Sequence, residues 1–131
     1  MTVEQMYQEI GQAALTIAEG RAGKILVYAE VEDGVISCDE FYVDQAGIVQ
    51  FRFRPTPMKE LIYSLWEQWK KQPGNREWRA MSYMIDGGRF GIDLKYPDQI
   101  DPNQSFSERR PLVVKESFGD AEVDYTKPRG S

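Results

Sequence analysis

The chain has 131 residues, 16 Lys and Arg against 21 Asp and Glu, a formal net charge of −5, one cysteine and no histidine. That length suits one domain burying about two-thirds of the surface its unfolded chain exposes. An apolar share of 41% excludes a disordered acidic tail.

Residues 2–19 predict an amphipathic helix. Thr2 and Gln5 match a capping box, and Val3, Met6, Tyr7, Ile10, Ala14, Ile17 and Ala18 share one stripe. Gly11 sits inside it at a cost of about 1 kcal/mol relative to Ala. Gly20 stops the helix in a Gly-Arg-Ala-Gly loop. Three short strands follow over 25–31, 35–43 and 48–53, joined by Glu32-Asp33-Gly34 and Asp44-Gln45-Ala46-Gly47. Ile25, Val27, Ala29 and Val31 share one face of the first. The connections are too short for parallel crossovers, so an antiparallel meander is expected.

A second helix is predicted over 57–71, with Thr56 as N-cap and Pro57 at the first helical position. Met58, Leu61, Ile62, Leu65, Trp66 and Trp69 form its core stripe. A hairpin over 76–85 and 89–96 turns at Asp86-Gly87-Gly88. Its second arm alternates Phe90, Ile92, Leu94 and Tyr96 with Arg89, Gly91, Asp93 and Lys95. Residues 105–118 predict a helix broken at Pro111 and ended at Gly119. Residues 120–131 read as a flexible tail, its last five resembling a leftover protease-cleavage sequence. The expected fold is α+β: one two-layer domain over 1–119 in the order α-β-β-β-α-β-β-(α). It has a five-stranded antiparallel sheet with two helices on one face.

The missing histidine excludes Ser-His-Asp and Cys-His catalysis and His-ligated zinc. One cysteine excludes a disulfide framework. Cys38, mid-strand beside Ser37, reads as a structural thiol rather than a nucleophile. Asp39 and Glu40 point to opposite strand faces and cannot share a substrate. No phosphate loop or calcium loop is present. No catalysis, metal or cofactor is expected. Met1-Thr2-Val3-Glu4-Gln5 has no basic then apolar run, and no stretch is long enough to span a bilayer. A cytoplasmic protein without a membrane partner is expected.

Charge is unevenly placed. Residues 1–50 carry nine acids against two bases, 51–80 carry seven bases against three acids, and the rest nine acids against seven bases. The densest acidic group, Glu30, Glu32, Asp33, Asp39, Glu40 and Asp44, is expected to gather on one edge of the meander. It reads either as a solvated edge or as a docking patch for a basic partner. In Phe51-Arg52-Phe53-Arg54, alternation sends Phe51 and Phe53 to the core and Arg52 and Arg54 outward. With Lys70, Lys71, Arg76 and Arg79 these bases give the rival reading, a small nucleic-acid-binding module. A pI near 4.8 argues against it.

One further feature is a resemblance that runs nearly the whole chain. An N-terminal Met6-Tyr7-Gln8-Glu9-Ile10 helix precedes a Lys24-to-Val31 strand, a Phe41-Tyr42-Val43 strand and a Leu- and Trp-rich helix. Trp78-Arg79-Ala80-Met81 leads to the Gly88-to-Tyr96 arm, and Glu108-Arg109-Arg110 precedes Phe118-Gly119. This pattern resembles the YezG-like immunity proteins (antitoxins) of bacterial polymorphic-toxin and contact-dependent growth-inhibition systems. Pro111-Leu112-Val113 departs from it, where other members carry an aromatic residue. The resemblance implies that the chain binds a cognate toxin C-terminal domain, a basic nuclease, as a 1:1 heterodimer. It would neutralise that domain by occlusion, without contacting nucleic acid itself. The residues expected to do so are the six acids above and, in the tail, Asp120, Glu122, Asp124 and Tyr125.

Overall fold

The computed structural model describes residues 2–19, 23–32, 34–53, 55 and 58–126. The expectations placed on Gly20, Arg21, Ala22, Asp33, Arg54, Thr56, Pro57 and 127–131 lie outside the described residues.

Helix α1, Val3–Ile17, begins where the sequence places its cap. The Gln5 amide donates to Thr2 Oγ1 at 3.1 Å, and the Thr2 amide donates to Gln5 Oε1 at 2.8 Å. Both bonds satisfy N–H groups that a helix start leaves orphaned. Val3, Met6, Ile10 and Ala14 bury its inner stripe. Gly11 has a packing reason to interrupt this helix. A Cβ there would stand 2.6 Å from Tyr83 Oη, and that hydroxyl donates to the Tyr7 carbonyl at 2.8 Å.

The strands are β1 Ile25–Glu32, β2 Val35–Val43, β3 Val49–Phe53, β4 Ala80–Asp86, β5 Arg89–Lys95 and β6 Val123–Asp124. They form one sheet in the order β5-β4-β1-β2-β3-β6. All neighbours are antiparallel except β3 and β6. Helix α2, Met58–Lys71, follows β3, and α3, Phe106–Phe118, follows β5. Trp66 of α2 pins its helix by donating Nε1–H to the Trp78 carbonyl at 3.0 Å.

The α+β class holds, but the layering differs from the expectation. β1 is a central strand and is apolar on both faces. Ile25, Val27, Ala29 and Val31 join α1 and α2 in one buried cluster. Leu26 and Tyr28 join a second with Phe41, Val49, Phe51 and Val114, against which Phe106, Val113 and Phe118 pack. A strand apolar on both sides needs cover on both sides. α3 supplies it, so the sheet is the middle of three layers and has six strands.

α3 also runs unbroken through Pro111. An interior proline costs about 3 kcal/mol. Its helix starts with a full capping box between Ser105 and Glu108 and ends at Gly119, where φ is +65°. The tail is part of the fold as far as 126. The Val49 amide donates to the Glu122 carbonyl at 2.8 Å, β6 pairs with β3, and the Tyr125 ring lies 5.1 Å from that of Phe51. Among the described residues, no helix is long and apolar enough to cross a membrane.

Candidate functional site

Strand register decides where each acidic candidate goes. Glu30 is on the even face of β1, the α3 side, and is buried. Arg109 of α3 meets it with a fork, Nε to Oε2 at 2.7 Å and Nη2 to Oε1 at 2.6 Å. Tyr28 donates its hydroxyl to the same carboxylate at 2.5 Å. Burial, and then this bond, hold the Tyr28 hydroxyl above its ordinary pKa; the bond to Glu30 does the same for Arg109. Arg109 Nη1 also donates to the carbonyls of Asp101 (3.0 Å) and Gln104. One guanidinium thus fastens β1, α3 and the 101–104 loop.

Asp39, also buried, takes a 2.9 Å bond from Arg110 Nη1. The Arg110 guanidinium lies 4.9 Å from the Phe51 ring centroid and 5.8 Å from that of Tyr125. Glu40 points to the other face. It stands across from Val27 on β1 and Arg52 on β3, with no measurable exposure. Neither of its carboxylate oxygens has a hydrogen-bond partner among the described residues. Arg52 instead donates to Tyr42 Oη at 2.7 Å and to the Phe51 carbonyl at 3.0 Å. Burial drives the Glu40 carboxyl well above its ordinary pKa of 4.5, and Arg52 only partly opposes it.

The expected acidic edge therefore does not form. Glu30, Asp39 and Glu40 are core residues in central strands, beyond the reach of a partner in this fold. Glu32 is exposed at the β1–β2 turn, 3.7 Å from Arg79 Nη1. Asp44 follows the opposite end of β2. The nine residues of β2 extend about 30 Å at 3.3 Å each, so Glu32 and Asp44 cannot share a small patch.

The tail residues take up what the hairpin loses. Asp44 organises the β2–β3 turn, accepting from the Ala46 and Ile48 amides at 2.9 and 3.0 Å. Its other oxygen accepts from Gln50 Nε2 at 2.9 Å. Gln50 is the β3 residue opposite Asp124 of β6. Asp44 and Asp124 are thereby brought to one sheet edge, followed along the chain by exposed Tyr125 and preceded by exposed Asp120 and Glu122. Asp120 is 4.0 Å from Lys115 Nζ, with both side chains largely in solvent.

Four bases of the rival reading, Arg52, Lys70, Arg76 and Arg79, have partners within the fold. Arg52 is buried rather than outward as expected. Arg79 donates to the Val31 carbonyl at 3.0 Å, Arg76 pairs with Asp98 at 2.8 Å, and Lys70 lies 4.0 Å from the Trp66 ring centroid. Arg76 holds the Asp98 carboxyl below its ordinary pKa. A cleft of about 230 Å³ beside α3 is lined by residues of both signs, among them Asp93, Lys95 and Glu116. It concentrates no single charge.

Sequence reasoning missed Arg109 and Arg110 as partners of the acids. A usable signal existed: Glu30 interrupts a strand that is apolar on both faces, so it requires a buried cation. Compared with known proteins, the chain matches no family model, and no curated protein is found to match it.

Proposed function

We propose that the chain is an immunity protein that binds a cognate toxin domain in the bacterial cytoplasm and occludes its active site without chemistry of its own. The reading rests on the YezG-like sequence pattern, and one observation supports it best. Exposed Asp120 and Glu122 precede in the chain the edge strand that sets Asp124 opposite Gln50, the partner of Asp44, and half-exposed Tyr125 follows it with its ring on Phe51. Acceptor-only side chains along one sheet edge suit a basic, phosphate-binding cleft, where they meet the Lys and Arg that would hold a nucleic-acid backbone. Long-range attraction would also raise the on-rate. The partner in this reading is a basic nuclease domain, bound 1:1.

The test is calorimetry and stopped-flow binding against the variable C-terminal domain of a large secreted protein encoded next to this chain. D120K/E122K, at exposed positions, should weaken binding about tenfold or more and flatten its salt dependence. E32K, at the far end of the sheet, should leave both unchanged. Unchanged affinity in D120K/E122K sinks the placement of the interface, and absence of any binding sinks the function. A low-salt gel shift separates the rival class: no shift at micromolar protein is expected.

A further inference from the structure

We propose that β5 is a self-pairing edge, joining a second copy of this chain into one continuous twelve-stranded sheet about a two-fold axis at Gly91. The inference is independent of the toxin reading, because β5 and β6 are opposite edges of the sheet.

β5 has a paired side, toward β4, and an unpaired side. Asp86 and Arg89 close a two-residue turn with φ of +60° at Gly87 and +80° at Gly88. The closing pair of such a hairpin is hydrogen-bonded, and alternate residues follow. Arg89, Gly91, Asp93 and Lys95 thus turn their backbone groups inward, in keeping with the Lys95 carbonyl accepting from the Arg79 amide at 2.7 Å. Phe90, Ile92 and Leu94 turn theirs to the open edge. A row of free donors and acceptors of this kind is a template for another strand.

What fits the template is set by charge. Two antiparallel copies of β5 can meet in only a few registers that keep side chains on matching faces. Centring on Ile92 places Arg89 against Lys95 of the second copy, twice. Centring on Asp93 places Asp93 against Asp93. Centring on Gly91 places Arg89 against Asp93, twice, and Phe90 against Ile92, twice. Of the registers that overlap five or more residues of β5, only the last pairs opposite charges, and it joins the outward backbone groups of Phe90 to those of Ile92; centring on Leu94 would set Asp93 against Lys95 but overlaps only three residues of the strand. Opposite charges directly across a strand pair attract, and like charges repel.

Two further observations agree. Phe90 is 55% exposed although it stacks on Tyr83, with ring centroids 5.6 Å apart and 4° between planes. Pairing with Ile92 of the second copy would cover it. Gly91 weakens the middle of a strand, yet a Cβ there would meet nothing within 4 Å. The chain's own packing gives no reason for glycine there, and a side chain at 91 would face its counterpart across the axis. Arg89 has no ion-pair partner of its own among the described residues, and Asp93 meets only the solvent-exposed Lys95 at 3.5 Å, a pair loose enough for Asp93 to turn to Arg89 of the second copy.

The experiment is sedimentation equilibrium on the full chain from about 1 to 300 µM, bracketing a micromolar edge contact. The mean mass should rise from 15.1 kDa toward twice that. R89D and D93R should each weaken the dimer about tenfold, and R89D/D93R should restore it to within about threefold, since the swap rebuilds the pair. In parallel, G91C should cross-link to itself under mild oxidation and D93C should not. Cys38 is buried and does not compete. A chain monomeric throughout, a dimer indifferent to the single variants or not restored by the swap, or cross-linking at 93 instead of 91 each overturns the proposal. So does preferential capture of an unrelated strand peptide at β5 with no self-association.

Discussion

The two faces of the sheet bury acidic groups in opposite ways. On the α3 face, Glu30 and Asp39 each meet an arginine at hydrogen-bond distance. On the α1–α2 face, Glu40 sits in a central strand, fully buried, with neither oxygen bonded among the described residues. Both faces are apolar, but on the first each buried acid has a cation bonded to it, whereas on the second a carboxyl is enclosed at a cost. A buried ion pair is weak evidence of net stability, but breaking one is expensive because it leaves an uncompensated charge. An unpaired carboxyl avoids its charge by keeping a proton.

The sharpest way to break this contrast is Arg109→Ala. It strands Glu30 and frees Tyr28, and should cost about 3–5 kcal/mol in chemical denaturation. Replacing both partners with Leu should recover much of that loss. Failure to recover it would mean that Arg109 matters mainly through the 101–104 carbonyls. Next in size, Gly11→Ala should destabilise by about 1–3 kcal/mol despite the better helix propensity of alanine, because the new methyl drives into Tyr83. A stabilised variant would show that the α1 face yields easily.

Glu40→Leu should act with the opposite sign, stabilising at neutral pH by about 1–3 kcal/mol. Its pH dependence is distinctive. Burial raises the folded-state pKa of Glu40, so the folded chain holds a proton that the unfolded chain has released. The associated stability is present below the ordinary value and is lost as pH rises through the raised one. Denaturation followed upward from pH 4.5 should therefore show a decline that Glu40→Leu lacks. A contribution rising with pH would mean that the carboxylate is paired after all. The smallest effect expected is that of Arg110→Ala. Its side chain is 20% exposed, so water can replace part of the bond, and a loss of about 1–2 kcal/mol is expected in the same assay.

The same contrast marks what the sequence could reveal. The α1–α2 face was legible because its signals are local. The Thr2–Gln5 box, the Met58-to-Trp69 stripe and the Asp86-Gly87-Gly88 turn each lie within a few residues. The α3 face depends on matches across the chain, such as Glu30 with Arg109 and Asp39 with Arg110. Locally, Pro111 even argues against the helix that carries both arginines. β6 is two residues long and has no pattern to detect. Three of the acidic candidates, Glu30, Asp39 and Glu40, are buried for one reason. Proximity in sequence suggests a shared surface, but β1 and β2 lie in the middle of the sheet and bury both of their faces.

The span between Glu30 and Arg109 also has a temporal meaning. The two are 79 residues apart. At translation rates of about 5–20 residues per second, Glu30 leaves the ribosome on the order of 4–16 s before its cation does. During that interval the Leu26, Tyr28, Phe41 and Phe51 surface has no lid. The last-synthesised helix is thus the one that shields the nascent sheet, which gives the cell a window in which a chaperone, or a second nascent chain, can reach that surface first.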